Sequence, residues 1–201
     1  MVRDGIYYAL ALSAGGALIA YLSGPWFALP LFLLAVFCLN FFRDPDREVP
    51  PGPVAVSPAD GKVVAVTRES PTCTRISIFL NVFDVHVNRT PISGKITQVN
   101  YRKGRFLNAA KGEASSENEQ NVITVEGNGV RVVFSQIAGL IARRIVFSKK
   151  LGDTVTAGER IGMIKFGSRC DVELGPEWEV QVRPGMHVSA GSSVIARRVN
   201  G

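Results

Sequence analysis

Histidine is nearly missing from this chain. His86 and His187 are the only two in 201 residues, and the three cysteines, Cys38, Cys73 and Cys170, are scattered with no Cys-x-x-Cys spacing. A zinc site gathers three or four such ligands, so no metal centre is expected. Three dispersed cysteines make no disulfide framework and point to a reducing compartment. The Gly-x-Ser-x-Gly elbow of α/β hydrolases is absent. Helical periodicity is missing after residue 53, and charge is missing from the whole of residues 6–42. The formal net charge of +6 favours anionic partners. Lysine and arginine are spread out rather than clustered with aromatics, so nucleic acid is not an expected partner.

The uncharged region reads as a membrane anchor. Two apolar stretches, 6–22 and 26–42, flank Ser23-Gly24-Pro25-Trp26. A bilayer-spanning helix takes roughly 20 apolar residues, so a helical hairpin broken at Gly24-Pro25 is expected over 1–42. Arg3 precedes it and Arg43 and Arg47 follow it, which favours both ends on the cytoplasmic side of the cell's inner membrane. The apolar region is too long for a signal peptide. Residues 43–53, "RDPDREVPPGP", read as a polar linker, and 54–201 as one domain.

That domain is expected to be mostly β, a sandwich or barrel-like pair of sheets. Short alternating runs broken by glycine recur: "GKVVAV", "RISIFLNVFDVHVNR", "GKITQVNY", "NVITVEGNGVRVVFSQIAG", "DVEL", "WEVQV" and "SVIARRV". "LIARRIVF" (140–147) fits a short helix or a strand. Two pairs of segments repeat at one offset of 33 positions. "SPADGKVVAV" (57–66) matches "TPISGKITQV" (90–99), and "LGDTVTAGERIG" (151–162) matches "RPGMHVSAGSSVI" (183–195). The repeated Gly-x-x-Val-x-Ala-Gly predicts one tight turn built twice, with glycines at positive φ. It resembles the hammerhead half-motif of lipoyl and biotinyl domains. Lys165 lacks the flanking residues of a carrier lysine.

Three polar positions could form one site. Asp60 lies in an Asp-Gly pair, itself a common turn. His86 lies in "FDVHVNRTP", where strand alternation would put Asp84, His86 and Asn88 on one face; His187 looks like a turn residue. Ser168 follows Gly167 in "KFGSRCDVEL". Serine is a weak nucleophile until a base takes its proton; His86 could be that base and Asp60 could orient it. Glycine before the serine leaves its carbonyl open, which suits attack by Ser168 on its own chain. A plain turn at Gly167-Ser168 is the competing reading.

These motifs in this order resemble phosphatidylserine decarboxylases of the short, pyruvoyl-dependent kind. The resemblance rests on the apolar amino terminus, "FFRDPDREVP", "SPADGKV", "FLNVFDVHVNRTPISGKI", "NEQN", "KFGSRCDVEL" and "VRPGMHVSAGSSVIA". It implies that Ser168 attacks the Gly167 carbonyl, splitting a proenzyme into a β chain, 1–167, and an α chain, 168–201. The α chain would begin with a pyruvoyl group made from Ser168. It further implies catalytic roles for Ser168, His86 and Asp60, a Schiff base with phosphatidylserine, release of phosphatidylethanolamine, and work at an anionic membrane surface. Homo-oligomerisation is compatible with it. Many members carry two histidines around His86; this chain has one, with Asn88 and Arg89 nearby. The polar run 108–121 reads as a mobile loop, which the resemblance sets near the substrate entrance. Two other readings use the same residues: a decarboxylase of another amino phospholipid, and a membrane-tethered β module without chemistry.

Overall fold

The computed structural model describes residues 2–140, 144–165 and 167–199. The chain separates into two compact units, 1–46 and 47–201. In the first, α1 (Arg3–Ser23) and α2 (Pro25–Phe41) form an apolar hairpin broken at Gly24, whose φ is 103°. Pro25 opens α2 at a position where its missing N–H costs no helical hydrogen bond. The helices meet through small residues: Ala9, Gly16, Ala28 and Ala35 are buried, and a Cβ at Gly16 would press on the Phe32 ring. Small residues let helix backbones approach closely. Tyr21, Leu22, Trp26 and Phe27 lie exposed. By length and composition α1 can cross a membrane.

The second unit is built of strands, as expected. In chain order they are β1 (Val54–Val56), β2 (Gly61–Ser70), β3 (Cys73–Leu80), β4 (Val87–Arg89), β5 (Gly94–Arg102), β6 (Gln120–Gly127), β7 (Val130–Ile137), β8 (Ile145–Phe147), β9 (Thr154–Val155), β10 (Arg160–Ile164), β11 (Ser168–Leu174), β12 (Trp178–Val180), β13 (His187–Val188) and β14 (Val194–Arg198). Eight of them form one antiparallel sheet in the order β13-β2-β3-β11-β7-β6-β5-β9. Two three-stranded sheets, β1-β14-β12 and β4-β10-β8, complete the unit. One face of the large sheet carries Ile76, Ile78, Val132, Phe134, Ile123, Cys170, Val172 and Leu174 into a single core. Alternation puts Ser77, Ser135, Arg169 and Asp171 on the other face.

The 33-residue repeat is a duplicated structure. Gly61 pairs with Val188, and its counterpart Gly94 pairs with Val155. Each Gly-Lys strand start therefore pairs with the Gly-x-x-Val-x-Ala-Gly turn of the other repeat pair, one at each edge of the large sheet. The backbone bonds repeat too. Gly185 N–H donates to Val63 O and Gly152 N–H to Ile96 O, both at 2.8 Å. Matched glycines share matched φ: 91° and 96° at Gly152 and Gly185, 75° and 78° at Gly158 and Gly191.

Four expectations need correction. "RISIFLNVFDVHVNR" is two strands, because Asn81 and Asp84 turn the chain: Phe83 N–H donates to Asn81 Oδ1 (2.7 Å) and Asn81 N–H to Asp84 Oδ2 (2.8 Å). Short polar side chains compete in this way with a ladder. Val85, His86, Val87 and Asn88 are all buried, so no polar face alternates there. Residues 108–121 include a helical turn, α3 (Ala114–Glu117), and run into β6, with Asn118, Gln120 and Asn121 buried. His187 opens β13 rather than sitting in a turn. Of the ambiguous 140–147 segment, Ile145–Phe147 is strand and 141–143 lie outside the described residues.

Candidate active site

Gly167-Ser168 is not a hairpin turn. β10 belongs to one sheet and β11 to another, so Gly167-Ser168 lies where the chain enters a new sheet. Gly167 has φ 52°, in the left-handed region, and the space a Cβ would take there is open. Glycine is needed there for its backbone conformation, not for room. Ser168 is fully buried, and its Oγ hydrogen-bonds to no described residue. A buried hydroxyl without a partner is costly, which makes it a candidate for chemistry.

β11 is anchored just past this point. Ser168 pairs with Leu80 and Arg169 with Phe79 and Ile137. The buried Arg169 guanidinium donates from Nε to Asp171 Oδ1 (2.7 Å), from Nη1 to Lys111 O (3.2 Å) and from Nη2 to Ser77 Oγ (2.5 Å). Ser115 Oγ donates to the second Asp171 oxygen at 2.6 Å. Segment 108–117 is thus tied at Lys111 and Ser115 to the residues that follow Ser168. Burial, reinforced by Asp171, holds the Cys170 thiol well above its ordinary range, so Cys170 is a core residue.

His86 reaches the same region from the other side. The chain leaves Leu80, the partner of Ser168, turns at 81–84 and returns as β4 against β10. Ile164 N–H donates to His86 O at 3.3 Å, four residues before Ser168. His86 is fully buried, and its Nδ1 lies 2.9 Å from the Asp84 peptide oxygen. A carbonyl oxygen only accepts, so Nδ1 carries the proton and Nε2 is the basic nitrogen of the neutral ring.

Asp60 sits at an Ala-Gly turn and is paired with Arg47. Its Oδ1 accepts from Ala190 N–H and its Oδ2 from Arg47 Nη2, both at 2.7 Å. In the other repeat Ser93 Oγ accepts from Ala157 N–H at 2.8 Å. Asp60 and Ser93 are the same position, each closing an Ala-Gly turn. Burial pushes the Asp60 carboxyl above its usual range; Ala190 N–H and Arg47 oppose this, and Asp84 adds to it. The loop carrying Asp60 is strapped to β4, since Arg89 N–H donates to Pro58 O at 2.9 Å. The fold therefore gathers the Asp60, His86 and Ser168 segments. The contact that orients His86 comes from Asp84.

Sequence reasoning missed the amides beneath the site. Gln136 Nε2 donates to Asn88 Oδ1 (2.9 Å) and Val146 O (3.3 Å), and Asn121 Nδ2 donates to Gln136 Oε1 (3.3 Å). All three residues are buried. They join the small sheet carrying β4 and β10 to the large sheet carrying β11. A signal was present: Gln136 interrupts the apolar run "VRVVFSQIAG". Asp84 gave none, because its peptide oxygen acts rather than its side chain.

The sequence that builds this site is that of a decarboxylase family. The family profile described as phosphatidylserine decarboxylase matches residues 34–196. A phosphatidylserine decarboxylase proenzyme of Solibacter usitatus is 68% identical over 200 residues, covering 100% of this chain and 98% of that protein. Proteins of the same name from Solidesulfovibrio magneticus and Syntrophus aciditrophicus are each 43% identical, covering 100% and 97% of this chain and 97% and 96% of their own lengths. The chain belongs to the phosphatidylserine decarboxylase family.

Proposed function

We propose that this chain is a proenzyme that cleaves its own Gly167–Ser168 bond and then decarboxylates phosphatidylserine to phosphatidylethanolamine. The observation that carries the reading is the buried Ser168 Oγ, with no partner among the described residues, beside a left-handed Gly167. His86 Nε2 takes the Oγ proton as Oγ bonds to the Gly167 carbonyl carbon. The Gly167–Ser168 C–N bond then breaks, His86 returns the proton to the Ser168 nitrogen, and the Gly167 acyl group now sits on Oγ as an ester. Loss of the Ser168 Cα proton to His86 expels the Gly167 carboxylate. The 1–167 chain is released, and Ser168 is left as dehydroalanine. Tautomerisation and hydrolysis of that residue give a ketone and ammonia, so no oxidant is required.

The residues around 168 fit a pyruvoyl group. Ser168 is buried and pairs with Leu80, and Arg169 is pinned by Asp171, Ser77 and Lys111. That ketone supplies an electron sink for the carbanion left as carbon dioxide departs. His86 then delivers a proton to the former carboxyl-bearing carbon. Asp60 holds the Ala190 turn and sets the charge around Asp84 and His86. The α1–α2 hairpin over 1–42 anchors the chain in the cell's inner membrane with 54–201 on the cytoplasmic side, where phospholipid headgroups are presented. Tethering raises the effective concentration of a lipid substrate.

Intact mass under denaturing conditions tests this, on wild type and Ser168→Ala in parallel. Wild type should give two pieces split after Gly167, the smaller with a carbonyl-reactive, amine-free end. Ser168→Ala should stay whole. A folded, aged wild-type sample that remains one unmodified chain rejects the mechanism and leaves a tethered β module.

A further inference from the structure

We propose that Gly139 is the seat of the Gly167 carbonyl oxygen and positions the scissile peptide for attack by Ser168. The inference rests on the self-cleavage reading above. It begins with register. β11 and β7 run antiparallel, and Arg169 pairs with Ile137. Two residues beyond that pair, Gly167 and Gly139 face each other across the mouth of the ladder. The contact follows. A Cβ built on Gly139 would lie 1.9 Å from the Gly167 carbonyl oxygen and 3.1 Å from its carbon. The next wall is Ala109, whose Cβ is 3.2 Å from the same point. The volume an ordinary side chain would take at 139 is filled by the oxygen of the bond to be broken.

Gly139 is needed for space and not for conformation. Its φ is not in the left-handed region, so alanine meets no backbone objection there. Gly167 is the reverse case, left-handed with nothing near its absent Cβ. Beside the scissile carbonyl, the place of a Gly139 side chain is taken by the carbonyl oxygen, while the place of a Gly167 side chain is open. During attack the carbon becomes tetrahedral and negative charge builds on that oxygen. Holding the oxygen against a wall fixes the plane of the carbonyl toward Ser168 Oγ. A misplacement of about 1 Å at a reacting centre costs about 100-fold in rate.

The test follows fresh full-length precursor by intact mass, for wild type, Gly139→Ala and Ala109→Val, with hydroxylamine added to parallel samples. Hydroxylamine cuts the Gly167–Ser168 ester and so reports ester formation separately from elimination. Gly139→Ala is expected to form fragments about 100-fold more slowly, and hydroxylamine should not restore them. Gly139→Ala/Ser168→Ala should still melt in one cooperative transition, at a temperature below that of Ser168→Ala, which separates positioning from a general loss of fold. Ala109→Val narrows the same space from segment 108–117 and should slow cleavage about tenfold; it decides the matter if Gly139→Ala does not fold. Fragment or ester formation at the wild-type rate in folded Gly139→Ala overturns the proposal, as does a wild-type rate in Ala109→Val where Gly139→Ala fails to fold. A wild type that never splits rejects the self-cleavage reading instead.

Discussion

Asp60 shows how one side chain can hold two assignments. Its Oδ1 does what Ser93 Oγ does in the other repeat, and only Oδ2, on Arg47, is surplus to the turn. A hydroxyl would serve the turn alone, so the carboxylate is present for its charge. Because burial raises the Asp60 pKa, the native state binds its proton more tightly than the unfolded chain does. Stability is then fully present below the ordinary carboxylate range and falls as pH rises through the raised value. Arg47→Gln removes an influence that lowers this pKa, so the fall should extend to higher pH. Urea unfolding of Arg47→Gln and its parent at stepped pH, in the Ser168→Ala background, should give curves that diverge as pH rises; parallel curves would show that Arg47 does not govern Asp60. Arg169 is the second residue to test. Arg169→Leu removes the nearest cation from the buried Asp171 carboxylate, leaving it Ser115 Oγ and the more distant Arg75, and should cost about 3 kcal/mol in the same assay.

Among elements, the duplicated turn explains why glycine recurs where it does. The Cα atoms of Gly158 and Gly191 lie against each other, so that a Cβ on either would sit within 3.5 Å of the other's Cα. A Cβ at Gly191 would also meet Arg89 Cδ at 2.9 Å, on a backbone with φ 78°. Gly191→Ala should therefore destabilise the β unit by about 1–3 kcal/mol, read by thermal or urea unfolding of the Ser168→Ala chain. An unchanged midpoint would mean that the two repeats do not depend on this contact. The edge pairings β13·β2 and β9·β5 are each only two residue pairs long, and this contact helps hold them.

For the whole molecule, the helical hairpin and the basic balance make different demands on a membrane. Apolar insertion is insensitive to salt, whereas attraction of Lys and Arg to anionic lipid is screened by it. The full chain should float with both neutral and anionic vesicles and stay bound in high salt. A chain lacking residues 1–42 should float weakly, only with anionic vesicles, and be released by salt. Salt-resistant flotation of the shortened chain would place a membrane-binding surface on the β unit itself.

Much of this was legible in one dimension. Apolar run lengths set the hairpin, period-two alternation and glycine spacing set a β domain, and the 33-residue offset set its duplication, because each depends on neighbours along the chain. Ser168 and His86 stood out by residue type. What only the folded chain decided is which atoms meet. Asn81 and Asp84 break a strand that alternation reads as continuous. An Asp84 peptide oxygen, which no side-chain pattern can signal, fixes the His86 tautomer. Gly167 is left-handed where the chain enters a new sheet, and the bare Cα of Gly139 meets its oxygen across an antiparallel register. The contacts at 81–86 are local but turn on backbone atoms that a side-chain pattern does not show, whereas Gly139 and Gly167 are distant in sequence and meet only once β7 and β11 are in register.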